Sequence, residues 1–206
     1  MTRSAFIGDI HGCRGALRQV LARLPADGRE LVFLGDYVNR GPESRGVIED
    51  LIELSSSSHA KVSLLAGNHE EVLLALLEDD AVLPQFLGMG GGATIRSYVD
   101  PPYRDVLTQF RRAFPDSHRA FLRRLRPDWL GDGVVAVHNS RSLRTREAGS
   151  FVVSGHNVRT ALVPDVTDAG ALIDTGCGTL SGGKLTGLLY PEMTWVQSDV
   201  SPSSTV

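Results

Sequence analysis

Cysteine is scarce in this chain. Only Cys13 and Cys177 occur in 206 residues, too few for a disulfide framework. A basic excess is also missing. Lys and Arg number 21 against 24 Asp and Glu, a net charge of -3, which argues against a general nucleic-acid binder. Lysine itself is represented only by Lys61 and Lys184. No apolar run approaches the ~20 residues of a membrane span. The stretch Met1–Ile10 shows neither a basic leader nor a cleavable apolar segment, so a soluble, cytoplasmic protein without a secretory signal is expected. The length predicts a single domain over residues 1–197, followed by a polar, disordered tail over 198–206.

What is present is an alternation of strand and helix signals. Ser4–Ile7 is a short apolar strand that runs into Gly8-Asp9. Leu17, Val20, Leu21 and Leu24 then repeat with helical spacing. Leu31–Leu34 is a second strand ending at Gly35-Asp36, and Val62–Leu65 is a third ending at Gly67-Asn68-His69-Glu70. A helix around Val47–Leu54 separates them and stops in the serines 55–58. This βαβαβ order predicts a parallel sheet with right-handed crossovers. The glycines 90–92 predict a structured loop near the site, because glycine weakens a helix interior. Tyr103–Arg126 reads as helix interrupted near Pro115. Its arginines suggest a solvated face, or else a basic rim for anionic substrates. The last third is β-like, over 134–138, 151–154, 171–174, 185–190 and 194–196.

Three strands thus end in glycine followed by a polar residue. Ligand sites in α/β sheets form beyond the carboxyl ends of strands. The polar groups at such ends are Asp9, His11, Asp36, Asn68, His69, His138 and His156. Carboxylate and amide oxygens with imidazole nitrogens suit Mn, Fe or Zn. A carboxylate can bridge two metals ~3.5–4 Å apart, a pair suited to phosphoryl displacement, and Asp36 is the natural bridge. Singly, each residue has an ordinary explanation: a strand-end Asp caps a helix, and a lone His sits on the surface. His59 and His118 lie outside every block and are expected to be exposed. Glu70 could serve only as a first-turn acid.

Gly8-Asp9-Ile10-His11-Gly12, Gly35-Asp36-Tyr37-Val38-Asn39-Arg40-Gly41 and Gly67-Asn68-His69-Glu70 together resemble the calcineurin-like metallophosphoesterases. More narrowly they resemble the phosphoprotein phosphatase (PPP) family, with its bacterial Ser/Thr phosphatases and symmetrical diadenosine tetraphosphate hydrolases. The resemblance runs from Phe6 to about Leu189 and includes Gly155-His156, Asp174-Thr175-Gly176 and Gly182-Gly183-Lys184. It implies an α/β metallophosphoesterase fold, two mixed β-sheets packed as a sandwich flanked by helices. It implies two divalent ions, manganese first, with iron or zinc as alternatives. Asp9, His11 and Asp36 would hold one ion. Asp36, Asn68, His138 and His156 would hold the other, Asn68 also facing substrate. Arg40 would grip the phosphoryl group, and His69, paired with residue 39, would be the general acid. A metal-bridging hydroxide would attack phosphorus directly. The leading expectation is a bacterial-type Ser/Thr protein phosphatase acting on phosphoproteins. The alternatives are a symmetrical dinucleotide hydrolase and a small-molecule phosphomonoesterase.

The chain departs from that pattern in three places. Asn39 stands where the family usually has Asp, removing the charge that would favour an imidazolium at His69. An activated leaving group would tolerate this better. His138 is followed by Asn139-Ser140 instead of small residues, and only 17 residues separate His138 from His156. That segment usually carries a second phosphate-binding arginine; Arg141, Arg144 and Arg146 are the candidates. A non-enzyme reading follows from these departures: a vestigial member that binds metal and phosphate without turnover.

Overall fold

A computed structural model of the chain describes residues 3–57, 61–143 and 149–200. His59, Arg144 and Arg146, and residues 201–206 of the expected tail, lie outside them. The first half follows the alternation: β1 (Ser4–Ile7), α1 (Arg14–Arg23), β2 (Glu30–Phe33), α2 (Ser44–Ser56), β3 (Val62–Leu64) and α3 (Asn68–Glu78). Strands β1, β2 and β3 pair in parallel. Four short helices follow: α4 (Leu83–Gly88), α5 (Gly91–Tyr98), α6 (Val106–Ala113) and α7 (Asp116–Arg123). The remaining strands are β4 (Asp128–Gly131), β5 (Val134–Val137), β6 (Phe151–Ser154), β7 (Asp165–Thr167), β8 (Gly170–Leu172), β9 (Thr186–Tyr190) and β10 (Thr194–Gln197).

These strands build two mixed sheets, ordered β10-β9-β1-β2-β3 and β4-β5-β6-β8-β7. Between them lies one core layer, with Phe6, Val32 and Leu188 from the first sheet against Trp129, Ala136 and Val153 from the second. Alternate residues of the same strands, Ala5, Ile7 and Phe33, face the other way, onto α1, α2 and α3. This explains why β1 is buried at every position: its two faces meet two different layers. The expected sandwich with flanking helices is therefore the observed fold.

Several local expectations change. Glycines 90–92 are not a loop. Gly90 adopts φ 81° as the residue before α5, and Gly91 and Gly92 form its first turn. The packing requires glycine at Gly91, where a Cβ would fall 2.3 Å from the Phe86 ring, so close contact overrides helix propensity. Strands β4 and β7 are edge strands whose alternation the sequence hides. His118 is not exposed; it is buried beneath Tyr98, whose hydroxyl lies 2.7 Å from His118 Nδ1. Of the arginines in this stretch, Arg112, Arg123, Arg124 and Arg126 are exposed, as a solvated face requires, while Arg111 is partly buried and bonds Leu76 O and Asp80. Ser198, placed in the polar tail, is buried and accepts the Leu185 N–H at 2.9 Å.

Candidate metal centre

Parallel strands of both sheets end at one rim of the sandwich. Asp9 follows β1, Asp36 follows β2 and Asn68 opens α3 just beyond β3. His138 follows β5, and His156 follows β6. Since β1–β2–β3 and β5–β6 are each parallel, their carboxyl ends collect these side chains in one place.

The backbone is bent to do so. Seven non-glycine residues with positive φ are described, and five lie in the loops that follow β1, β2 and β6 at this rim: His11, Asp36, Asn39, Arg40 and His156, at φ 46°, 53°, 72°, 66° and 63°. Each such residue costs on the order of 1 kcal/mol. Their concentration at one rim marks a built site. Two glycines make room for it: a Cβ at Gly67 would lie 2.1 Å from Asp36 Oδ1, and one at Gly155 would lie 2.1 Å from Asp9 Oδ1.

Glu70 holds the strained loop. It is buried, and its carboxylate accepts N–H bonds from Asp36 and Tyr37 at 2.8 Å, Gly67 at 3.0 Å and Val38 at 3.2 Å. Burial, then the nearby Asp36 charge, pushes its pKa up, and the N–H donors, which favour the ionised form, oppose the rise. Glu70 is therefore a clamp between α3 and the loop after β2, more than a helix-dipole acid. Sequence reasoning missed this because the three partners in the loop after β2 lie 32–34 positions away.

The imidazoles present lone pairs inward. His11 Nδ1 donates to Val38 O at 3.1 Å and His138 Nδ1 donates to Leu34 O at 3.0 Å. A carbonyl can only accept, so in each neutral ring the proton sits on Nδ1 and Nε2 is a bare lone pair. Burial holds His138 down to about 4 and His69 to about 3, and lowers His11 strongly. The neutral ring is the form in which an imidazole can bind a metal ion.

Asp36 spans two groups with its two oxygens. Oδ2 lies 3.7 Å from His11 Nε2 and 3.8 Å from His69 Nε2, while Oδ1 lies 3.5 Å from His138 Nε2. His138 Nε2 in turn is 3.0 Å from His156 Nδ1 and 3.1 Å from Asn68 Oδ1. Two clusters with metal-binding geometry result, His11–Asp36–His69 and Asp36–His138–His156. The second brings together three of the four residues expected around one ion, Asp36, His138 and His156, with Asn68 beside His138. The first has His69 beside His11 and Asp36. Asp9 is buried next to Asp36, with its oxygens accepting the His156 N–H at 3.3 and 3.1 Å.

The donor chemistry fits divalent cations. Asn68 Oδ1 and His138 Nε2 are both lone-pair donors, facing each other with no proton between them. Asp9, Asp36 and Asp174 are buried together, and burial raises all three pKa values, Asp36 to about 7. One oxygen of Asp174, Oδ2, is buried without a partner. Asp174 was legible in the sequence only as part of a block, without a role. Its Oδ1 accepts the Gly176 N–H at 3.0 Å.

Arg40 lies over the first cluster. Its Nη1 donates to His11 Nε2 at 2.8 Å and to Thr179 Oγ1, in the loop before β9. Arg141 is exposed and contributes charge toward His156. Beside the second cluster a cavity of about 560 Å³ opens between Asn68, His138 and His156 on one side and Leu125, Glu71 and Asp128 on the other.

A family model described as calcineurin-like phosphoesterase matches residues 2–160. A symmetrical bis(5'-nucleosyl)-tetraphosphatase of Burkholderia thailandensis is 36% identical over 112 residues, 54% of this chain and 36% of that relative. One of Ralstonia nicotianae is 44% identical over 70 residues, 34% of this chain and 24% of that relative. These matches therefore span about a third or less of the relatives' length. Among solved structures, a candidate diadenosine tetraphosphatase superposes with TM-score 0.60 at 21% identity, covering 96% of this chain and 93% of that one. A metallophosphoesterase from Sphaerobacter thermophilus gives TM-score 0.54 at 16% identity, covering 99% and 89%. The likeness to these structures is one of fold.

Proposed function

Because the chain belongs to the calcineurin-like phosphoesterase family, we propose that this rim is the active centre of a metal-dependent phosphoester hydrolase. The observation that carries the reading is Asp36, whose two oxygens face two histidine groups at once. Two divalent ions, manganese first and iron or zinc as alternatives, would polarise the phosphoryl group and activate the attacking water. Asp36, His138, His156 and Asn68 would hold one of them. His11 and Asp36, with Asp9 in support, would hold the other.

The protein's own groups do the rest. Arg40 is positioned to bind phosphoryl oxygens through its planar guanidinium, with the Thr179 hydroxyl beside it. His69 faces Asp36 with Nε2 and is placed to serve the departing oxygen. The cavity beside Asn68, His138 and His156 leaves room for the substrate beyond its phosphate. Its carboxylates, Glu71 and Asp128, suit a neutral or cationic moiety there, such as the peptide of a phosphoseryl protein. That reading makes the chain a Ser/Thr protein phosphatase.

A second reading, a symmetrical dinucleoside tetraphosphate hydrolase, is favoured by Asn39 and by the names of the curated relatives. One phosphorus NMR time course separates the two. Manganese-loaded protein is given a phosphoseryl peptide and diadenosine tetraphosphate in the same tube. Loss of the peptide signal into inorganic phosphate supports the phosphatase. ADP from the dinucleotide supports the second reading. Neither product, with two ions bound per chain, supports a small-molecule phosphomonoesterase of narrow range or a vestigial binder.

A further inference from the structure

Strand β3 is one edge of its sheet. The backbone groups of a parallel strand alternate in direction from residue to residue. Lys61 O accepts from Leu31 N–H and Leu65 N–H donates to Phe33 O, so the odd-numbered residues serve β2. The even-numbered ones point outward. Arg126 covers only their far end: its N–H donates to Leu64 O at 3.0 Å, and its O accepts the Ala66 N–H at 2.8 Å. Among the described residues, the Leu64 N–H and both backbone groups of Val62 have no partner. They border a groove of about 490 Å³ between the end of α2 and α7.

The walls of the groove define what fits. Ile52, Phe121 and Leu125 give it an apolar side, packed with Val62 and Leu64 onto the core beneath the helices. Among the described residues no Asp or Glu lines it, whereas Arg124 and Arg126 do, and both are exposed. Other arginines of this region are neutralised: Arg111 pairs with Asp80, Arg119 with Asp116 and Arg123 with Glu78. Arg124 and Arg126 have no carboxylate partner among the described residues. An open strand edge suits an extended backbone, and two uncompensated guanidiniums suit carboxylates.

We propose that this groove is a docking site for an extended acidic segment of a partner protein, which adds as a strand to the free edge of β3. Side chains of an added strand alternate between faces. Apolar residues of the segment meet Ile52 and Phe121, and the acidic residues between them meet Arg124 and Arg126. Leu125 also lines the cavity beside His138, so a segment seated here leads toward the metal rim. The chain's own residues 201–206 carry no Asp or Glu and follow β10, the opposite edge of the sheet, so they do not match the groove. Docking requires no turnover and does not rest on the hydrolase reading.

The test uses the full chain loaded with Mg²⁺ and a labelled peptide of about six residues alternating Glu and Val. Binding is read by fluorescence anisotropy, and amide hydrogen exchange by NMR. Exchange at Val62 and Leu64 should slow by about tenfold once the peptide exceeds its Kd about tenfold. The matching Lys-Val peptide should not bind, and a Glu-Val peptide methylated on its backbone nitrogens should lose binding. The double variant Arg124→Glu with Arg126→Glu should bind at least about tenfold more weakly, with an amide spectrum otherwise like that of wild type. No binding at millimolar peptide overturns the proposal. So does equal binding of the Lys-Val peptide, or binding that leaves Val62 and Leu64 unprotected; neither result needs the variant to fold. Val62 and Leu64 already protected without peptide would also overturn it. Sedimentation as a dimer would then assign the edge to a second copy, and a monomer would assign it to residues 201–206.

Discussion

Asn68 Oδ1 and His138 Nε2 face each other at 3.1 Å, and neither has a proton to give. The His138 proton is already committed to Leu34 O on the other side of the ring. Two lone pairs held at this distance repel unless a cation lies between or beside them. Asn68 opens α3 just after β3 of one sheet and His138 follows β5 of the other, so the sandwich itself sets the spacing.

Removing the shared carboxylate should therefore empty both positions. Manganese-reconstituted wild type is expected to carry about two ions per chain by elemental analysis. Asp36→Ala should carry almost none, and His138→Ala about one. Two ions retained by Asp36→Ala would refute its role as the bridge.

Glu70 should matter for stability beyond its position in a motif. Glu70→Gln keeps the shape but turns one acceptor oxygen into a donor facing backbone N–H groups. Unfolding in urea should show a loss of about 2–3 kcal/mol, with lower metal occupancy because Asp36 rides on the same loop. A variant as stable as wild type would mean that the loop after β2 stands without the clamp.

Asn39→Asp tests the origin of substrate preference. The carboxylate should accept from His69 Nδ1–H and favour the imidazolium, a full proton donor. Turnover of an unactivated ester such as phosphoserine should rise by about tenfold, while p-nitrophenyl phosphate changes little. No gain and no change in the pH profile would remove leaving-group protonation as the explanation of Asn39.

Away from the rim, Asp50 joins α1 to α2. Arg14 donates to it at 2.9 and 2.7 Å, and Arg18 at 2.9 and 3.0 Å. Hydrogen bonds from Arg14, then Arg18, hold its pKa well below the ordinary 3.8. A depressed carboxylate stabilises the fold above its unfolded pKa, and that contribution is lost as pH falls through the folded value. Asp50→Asn should cost about 1 kcal/mol at pH 7 after solvent screening, most of it from the Arg14 arm. The gap from wild type should narrow steadily below pH ~4. A gap that stays constant in acid would assign the loss to packing instead of charge.

The chain's local patterns carried much of this. Apolar runs ending in Gly-Asp or Gly-Asn announce strands whose carboxyl ends bear ligands, and helical repeats between them require parallel pairing. Asp9, His11, Asp36, Asn68, His69, His138 and His156 were legible because each lies within a few residues of a strand end. Tertiary structure decided what those residues touch. Glu70 became a clamp, Thr94 became the partner of Asn39 from 55 positions away, and glycines 90–92 became the start of a helix against Phe86. His118 went inside because Tyr98 offered it a buried hydroxyl. Local sequence sets backbone periodicity and the supply of functional groups, since these depend on near neighbours. Which lone pair meets which proton depends on contacts between distant segments, and those exist only once two sheets and the helix layer have packed.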